Sequence, residues 1–196
     1  MKILALQGSP RESGNTQAVL DVVLEEARRA GAQTEVIHLS QAKIASGCME
    51  CYACQDKPDE PGCAIDDGMQ AVLRKALAAD VVLWATPVFC WSPSWLTKMA
   101  MDRFFCTFKF GDGDVTSLMR GRKVAAVITS GGGEDEGADL VKETCRRMAE
   151  YSKCTWLGAL VAGNVTSPET IRADSNLMER ARHFGRQLAG ASRLST

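Results

Sequence analysis

The run Asp80–Thr86 (DVVLWAT) constrains this chain most: it is apolar almost throughout, shows no alternation and is closed by Pro87. A strand with one wet face alternates apolar and polar side chains. A strand without alternation is covered on both faces, the mark of the middle of a parallel sheet. Four further runs read as strands: Lys2–Gln7, ended by Gly8-Ser9-Pro10, then Thr34–Leu39, Lys123–Thr129 and Thr155–Ala162. Between them the apolar period changes to that of a helix. Val19, Leu20, Val23, Leu24 and Ala27 mark one helix, stopped by Gly31, and Met69, Val72, Leu73, Ala76 and Leu77 a second. Ser94–Phe105 and Glu136–Tyr151 follow, and Leu177, Ala181, Phe184 and Leu188 define the last. Strands alternating with helices call for a parallel sheet with helices on both faces and right-handed crossovers. With no repeat or linker, residues 1–196 are expected to form one domain, in which residues 46–67 are an ordered, cysteine-rich insert after the second strand.

Ligands of such sheets bind beyond the carboxyl ends of the strands, where strand order reverses. For the order 2-1-3-4-5 that point lies between the first and third strands. The loops concerned are Gly8–Thr16, Pro87–Ser94 and the segment from Ser130.

Charge and composition exclude several function classes. Twenty-three basic and 24 acidic residues give a net charge of −1, unlike the basic balance of nucleic-acid-binding domains. Only His38 and His183 are present, so multi-histidine metal sites are ruled out. The opening run Met1–Gln7 is too short for a signal peptide or a bilayer span, so a cytoplasmic location and no membrane partner are expected. Eight cysteines in that setting point to metal or redox chemistry rather than structural disulfides.

The loop Gly8-Ser9-Pro10-Arg11-Glu12-Ser13-Gly14-Asn15-Thr16 runs straight into a helix, whose first N–H groups and partial positive charge attract phosphate. Ser9, Ser13, Asn15 and Thr16 add donors, Arg11 adds a charge and Gly14 leaves the backbone open. It is not a Walker A loop: five residues separate Gly8 from Gly14, and Asn15 stands where that motif needs lysine. A G-x-G-x-x-G fingerprint is also missing. Such a loop suits one monoester phosphate arriving without Mg²⁺. The alternative is ordinary helix capping by one of these residues.

After the third strand comes Thr86-Pro87-Val88-Phe89-Cys90-Trp91-Ser92-Pro93-Ser94-Trp95, stiffened by prolines and rich in aromatics. A planar cofactor wants rigid apolar walls of this kind. After the fourth strand, Ser130-Gly131-Gly132-Gly133 allows close backbone approach to a ring edge, and Glu134, Asp135 and Glu136 make it a poor second phosphate site. Together the three loops suit a flavin mononucleotide.

The insert carries Cys48, Cys51 and Cys54 at two-residue gaps and Cys63 after eight more residues. Three closely spaced thiols with a fourth from further along form a ligand set for a [4Fe–4S] cluster. Zinc, a redox disulfide and metal-free structural thiols remain as alternatives. Asp56, Asp59, Glu60, Asp66 and Asp67 crowd the insert with negative charge, which is expected to lower a cluster's potential. Cys106, Cys145 and Cys154 fall on apolar faces and read as core. Arg172, Arg180, Arg182, Arg186 and Arg193 read as a solvated basic face.

GSPRESGNT, the segment from Thr86 to Phe104 and the insert ending in Cys63-Ala64-Ile65-Asp66-Asp67-Gly68-Met69 resemble the NAD(P)H-dependent FMN reductase family. Within it they look most like the iron–sulfur flavoprotein branch. The resemblance runs from Met1 to about Gly133. It departs from the family pattern at Phe89, where tyrosine is common, and in the long gap before Cys63. It implies a flavodoxin-like three-layer sandwich and non-covalent FMN, with NAD(P)H or an iron–sulfur centre as electron source. It also implies a small-molecule or protein redox partner and a homodimer or homotetramer. By that resemblance Ser9, Arg11, Asn15 and Thr16 match the phosphate positions, Pro87, Val88 and Phe89 the segment along the isoalloxazine, and Ser130 and Gly131 its edge. Cys90, Trp91 and Gly132 sit beside them. No catalytic side chain is expected, because the flavin itself carries the electrons. Two variants of this reading stand beside it: an electron carrier without nicotinamide turnover, and a metal-free FMN reductase.

Overall fold

A computed structural model describes residues 1–111 and 113–190; Arg193 lies outside the described residues. The chain runs β1 (Lys2–Gln7), α1 (Asn15–Arg29), β2 (Gln33–His38), α2 (Met69–Leu77), β3 (Val81–Phe89), β4 (Ser92–Pro93) and α3 (Trp95–Arg103). It continues through β5 (Phe108–Phe110), β6 (Val115–Ser117), β7 (Lys123–Thr129), α4 (Asp139–Tyr151), β8 (Thr155–Ala162), α5 (Pro168–Ala173) and α6 (Ser175–Gly190). Five strands pair in parallel in the order β2-β1-β3-β7-β8. That is the expected 2-1-3-4-5 arrangement of a flavodoxin-like α/β fold.

Burial on both faces explains the unbroken apolar run in β3. Val82 and Trp84 point to one side, into a core shared with α2, α3 and α4. Val81, Leu83 and Ala85 point to the other, against α1 and α6. The α1 positions Val19, Leu20, Val23, Leu24 and Ala27 are all buried there, with Leu177, Ala181, Phe184 and Leu188 of α6. The carboxyl ends of β1, β3 and β7 therefore emerge side by side.

Several boundaries differ from those read in the sequence. Pro87 does not end the third strand: β3 continues to Phe89, with Pro87 opposite Thr129 of β7. Beyond Pro87, β3 leaves β7 and pairs antiparallel with β4, Val88 against Pro93 and Phe89 against Ser92. The two residues of that turn, Cys90 and Trp91, both have positive φ, 47° and 59°. Hairpin turns of this left-handed kind are normally Asn-Gly. The third helix stops at Arg103 and gives way to a 3₁₀ turn over Phe104–Thr107. The fourth begins at Asp139, after a wide turn at Glu134–Ala138 in which Gly137 has φ 113°. The β5–β6 hairpin and α5 have no counterpart in the sequence reading. Residues 39–68 are irregular apart from a short 3₁₀ turn at Ala53–Asp56.

Candidate functional site

A cleft of about 230 Å³ opens at the carboxyl ends of β1, β3 and β7. Ser9, Arg11, Asn15 and Thr16 line it from the first loop, Pro87, Val88 and Phe89 from the third strand, and Ser130 and Gly131 from the loop after β7. A more open hollow of about 640 Å³ shares Val88, Ser130 and Gly131 with it and adds Cys90, Trp91 and Gly132. The two form one groove. Of the fourteen residues expected there, Ser13 and Gly14 border neither hollow.

The first loop is braced from below. Gly8 N–H donates to Ala85 O at 2.8 Å, and Ser94 Oγ donates to Gly8 O at 2.5 Å. Ser94 is also the N-cap of α3, accepting from Thr97 N at 3.2 Å. A Cβ on Gly8 would fall 1.8 Å from Thr97 Oγ1, so only glycine fits. Ser9 turns its hydroxyl inward to accept from Arg11 N at 3.1 Å. The helix that follows has Gly14 as N-cap and no side-chain cap. The hydroxyls of this loop are thus not spent on capping, and the first turn of α1 keeps backbone donors for a ligand.

Thr16 Oγ1 and Thr129 Oγ1 lie 2.8 Å apart, tying α1 to β7 across the cleft floor. Thr129, Val165 and Thr166 line the cleft as well, and no motif in the sequence marks them. The loop after β8 is drawn in by Val165 N→Ser130 O at 3.0 Å and Asn164 N→Gly132 O at 2.9 Å. Asn15 Nδ2 reaches Val165 O at 3.4 Å. The signal for these residues was the strand order itself, which sets the fifth strand beside the fourth. On the opposite wall, Trp91 in its left-handed conformation packs on Gly137, where a Cβ would come within 2.9 Å of the indole. Trp95, grouped with Phe89 and Trp91 in the sequence, lines neither hollow and is 61% exposed.

Across the molecule's other hydrophobic face, Cys48, Cys51, Cys54 and Cys63 line one small cavity of about 20 Å³ with Met49, Tyr52, Ala64, Ile65, Arg103, Phe105 and Cys106. Its donors are all sulfur and its remaining walls largely apolar. Among the described residues, no three Cys, His, Asp or Glu side chains form a ready single-ion site. Cys106 is a fifth thiol at the cavity; burial, then the charges of Cys63 and Cys54, push it up to about 12, so it stays protonated. Its Sγ donates to Arg103 O at 3.0 Å.

The acidic crowding expected around these cysteines is partly cancelled. Asp67 forms a buried two-point pair with Arg103, at 2.9 and 3.0 Å, and Glu60 pairs with Lys57 at 2.9 Å. Lys109, only 7% exposed, donates through Nζ to Cys54 O at 2.7 Å and lies 3.4 Å from Pro61 O. Cys145 and Cys154 are buried as expected; burial pushes their thiols to about 12 and about 11.

A family model described as NADPH-dependent FMN reductase matches residues 1–166. An "Iron-sulfur flavoprotein" of Methanosarcina thermophila is 30% identical over 139 residues, 71% of this chain and 68% of the relative. The chain spans between 45% and 68% of the length of the iron–sulfur flavoproteins it matches. An "FMN-dependent NADH:quinone oxidoreductase" of Methylorubrum populi is 32% identical over 97% of this chain and 95% of its own. Among solved structures, an NAD(P)H:quinone oxidoreductase from Methanothermobacter marburgensis superposes with a TM-score of 0.76 at 18% identity, covering 96% of this chain and 98% of that one. No helix among the described residues is long and apolar enough to cross a membrane.

Proposed function

Because the chain belongs to the NADPH-dependent FMN reductase family, we propose that it is an FMN-dependent oxidoreductase taking electrons from NAD(P)H or an iron–sulfur centre. The observation that carries this reading is the groove, where an uncapped helix start, a proline-stiffened wall and a glycine loop meet at three adjacent strand ends. Ser9, Arg11, Ser13, Asn15 and Thr16, with the backbone at Gly14, would hold the phosphate. Pro87, Val88, Phe89, Cys90 and Trp91 would flank the isoalloxazine, and Ser130, Gly131 and Gly132 its edge. FMN, when bound, supplies the ring that accepts and releases a hydride or single electrons. The chain's own residues bind and orient; none is assigned as catalytic. Thr16 and Thr129 fix the phosphate end, and the Trp91–Gly137 contact fixes the wall of the open hollow. The open side leaves room for NAD(P)H and then for an acceptor, and the names of the full-length relatives favour a quinone.

Cys48, Cys51, Cys54 and Cys63 would hold a [4Fe–4S] cluster. The support is an all-sulfur donor set around one cavity and, at its border, a buried arginine nitrogen without a partner. Zinc sites of four cysteines usually come as two separated pairs, whereas three thiols at two-residue gaps with a fourth further on suit a cubane, one thiolate at each iron. The second reading, a metal-free reductase, keeps the same four cysteines as structural thiols. The protein would act in the cytoplasm as a single-domain homodimer or homotetramer with a small-molecule or protein redox partner. Phe89 and Trp91, 37% and 67% exposed beside the groove, offer the apolar rim a second subunit would cover.

The test is an absorbance spectrum of anaerobically purified protein, with iron, sulfide and FMN assayed on the same sample and NADPH oxidation followed. Flavin bands above a broad shoulder, about four irons per chain and steady turnover are expected. Flavin without iron in protein reconstituted with iron and sulfide would leave the metal-free reductase. A chain that refuses FMN would overturn the assignment. Cys63→Ala should lose the cluster absorbance and keep the flavin.

A further inference from the structure

Arg103 is 1% exposed, an extreme for so large a charged side chain. Its outer nitrogens are used: Nη1 donates to Asp67 Oδ2 at 2.9 Å and Ser46 O at 3.1 Å, and Nη2 to Asp67 Oδ1 at 3.0 Å and Ile65 O at 3.2 Å. The inner nitrogen is not: Nε is buried and has no partner among the described residues. A buried donor on a charged group is rarely left so, because it forfeits its bond to water and gains nothing in return. The residue borders the cysteine cavity, which Cys48, Cys51, Cys54 and Cys63 also line.

The two-point pair with Asp67 explains why the side chain can aim inward. A bidentate carboxylate fixes the plane of the guanidinium, so Nε–H is held rather than free to rotate. Asp67 is itself anchored, accepting from Ala45 N at 2.8 Å and Met69 N at 3.0 Å. Lys109 is the other buried cation nearby, but its donors go to the Cys54 and Pro61 carbonyls.

We propose that Arg103, held by Asp67, donates its Nε–H to a sulfur of the iron–sulfur centre and raises that centre's reduction potential. The inference rests on the cluster reading above. Reduction adds negative charge to the cluster and its thiolates, and a hydrogen bond to sulfur from a cationic group stabilises the reduced form more than the oxidised one. Arg103 thus opposes the unpaired acids of the insert. It is a positioning and tuning residue, not a catalytic one.

Wild type and Arg103→Lys are reconstituted anaerobically with ferrous iron, sulfide and FMN, and the cluster midpoint is read by electron paramagnetic resonance in a dye-mediated titration. Lysine keeps the charge but loses the Nε–H, together with the two-point hold on Asp67 and the bonds to Ser46 O and Ile65 O. Iron and FMN contents should match wild type, while the reduced-to-oxidised ratio at a fixed potential falls about tenfold, or about 59 mV for one electron. An unchanged midpoint in a fully loaded variant overturns the proposal. Should Arg103→Lys not fold, wild type carrying ¹⁵N-arginine decides: pulsed resonance of the reduced cluster should show coupling to one arginine nitrogen, and its absence overturns the proposal. Wild type that takes up no iron overturns the cluster reading itself, a failure distinct from a loaded cluster without nitrogen coupling.

Discussion

Replacing Thr16 by valine tests the floor of the groove, because it removes one hydroxyl of a buried pair and little else. Thr16 is 1% and Thr129 3% exposed, and their hydroxyls lie 2.8 Å apart. In Thr16→Val the Thr129 hydroxyl, 3% exposed, loses its protein partner, a cost of about 1–3 kcal/mol. With a urea slope of about 2 kcal/mol per molar, that lowers the unfolding midpoint of the flavin-free chain by roughly 0.5–1.5 M. Thr129→Val should cost about the same. The double variant should be less costly than either single, because two methyl groups replace a matched pair and no orphan remains. FMN affinity should not recover with it. A hydroxyl donated to a charged phosphate contributes about 1.5–3 kcal/mol, so both Thr16→Val and the double variant should bind FMN roughly tenfold or more weakly, read by quenching of flavin fluorescence. Additive stability losses would refute the pairing. Wild-type affinity in the double variant would refute the placement of the phosphate over Thr16.

Other expectations follow from the same geometry. Gly8→Ala, whose Cβ meets Thr97 Oγ1, should lower stability by about 1–3 kcal/mol through overpacking, and adding Thr97→Ala should restore part of the urea midpoint. Glu35 is held below its ordinary carboxylate value of 4.5, chiefly by the Lys75 hydrogen bond and further by Lys2, against burial. A carboxyl depressed in the folded state stabilises it above the unfolded value and loses that stabilisation as pH falls through the folded one. Stability should therefore drop below about pH 4.5, and Glu35→Gln should flatten that limb in denaturation midpoints taken from pH 6 to 3. Cys145, buried and pushed to about 12, should resist iodoacetamide at pH 8 until urea unfolds the chain, whereas exposed Cys48, Cys51 and Cys90 of the metal-free protein should react at once by peptide mass mapping.

The sheet was legible because its signals are local and redundant. Asp80–Thr86 has to be buried on both faces, and the α1 stripe Val19, Leu20, Val23, Leu24 and Ala27 has to face a core. What the sequence hid depends on partners distant in the chain. Pro87 reads as a stop because it cannot donate, yet it sits where β3 is about to leave β7 for β4 and needs no further donor on that side. Cys90-Trp91 carries no Asn-Gly signal, and its left-handed turn is sustained by the seat that Gly137 gives Trp91, from a loop over forty residues away. The three-residue strands Phe108–Phe110 and Val115–Ser117 are too short for any period to show. Thr129, Val165 and Thr166 have side chains with no motif of their own and belong to the site only through strand order.

One element unites the two halves of the proposed chemistry. Helix α3 begins at the groove, where its cap Ser94 holds the Gly8 carbonyl of the phosphate loop, and ends at the cysteine cavity, where its last residue is Arg103. Nine residues at 1.5 Å each give a strut of about 14 Å between the two sites. Both ends are pinned by buried polar bonds, Ser94 to Gly8, Thr86 and Thr97, and Arg103 to Asp67, Ser46 and Ile65. Its middle is packed through Leu96, Ala100 and Met101 under Trp84 and Phe104. The separation of the groove and the cysteine cavity is thus set by a packed helix rather than by the irregular insert. That insert, irregular along most of its length, is itself tied back to the helix by the Asp67–Arg103 pair. A segment with so little regular structure can thus hold its thiols at a fixed place relative to the groove, because the residue at the end of the strut anchors it.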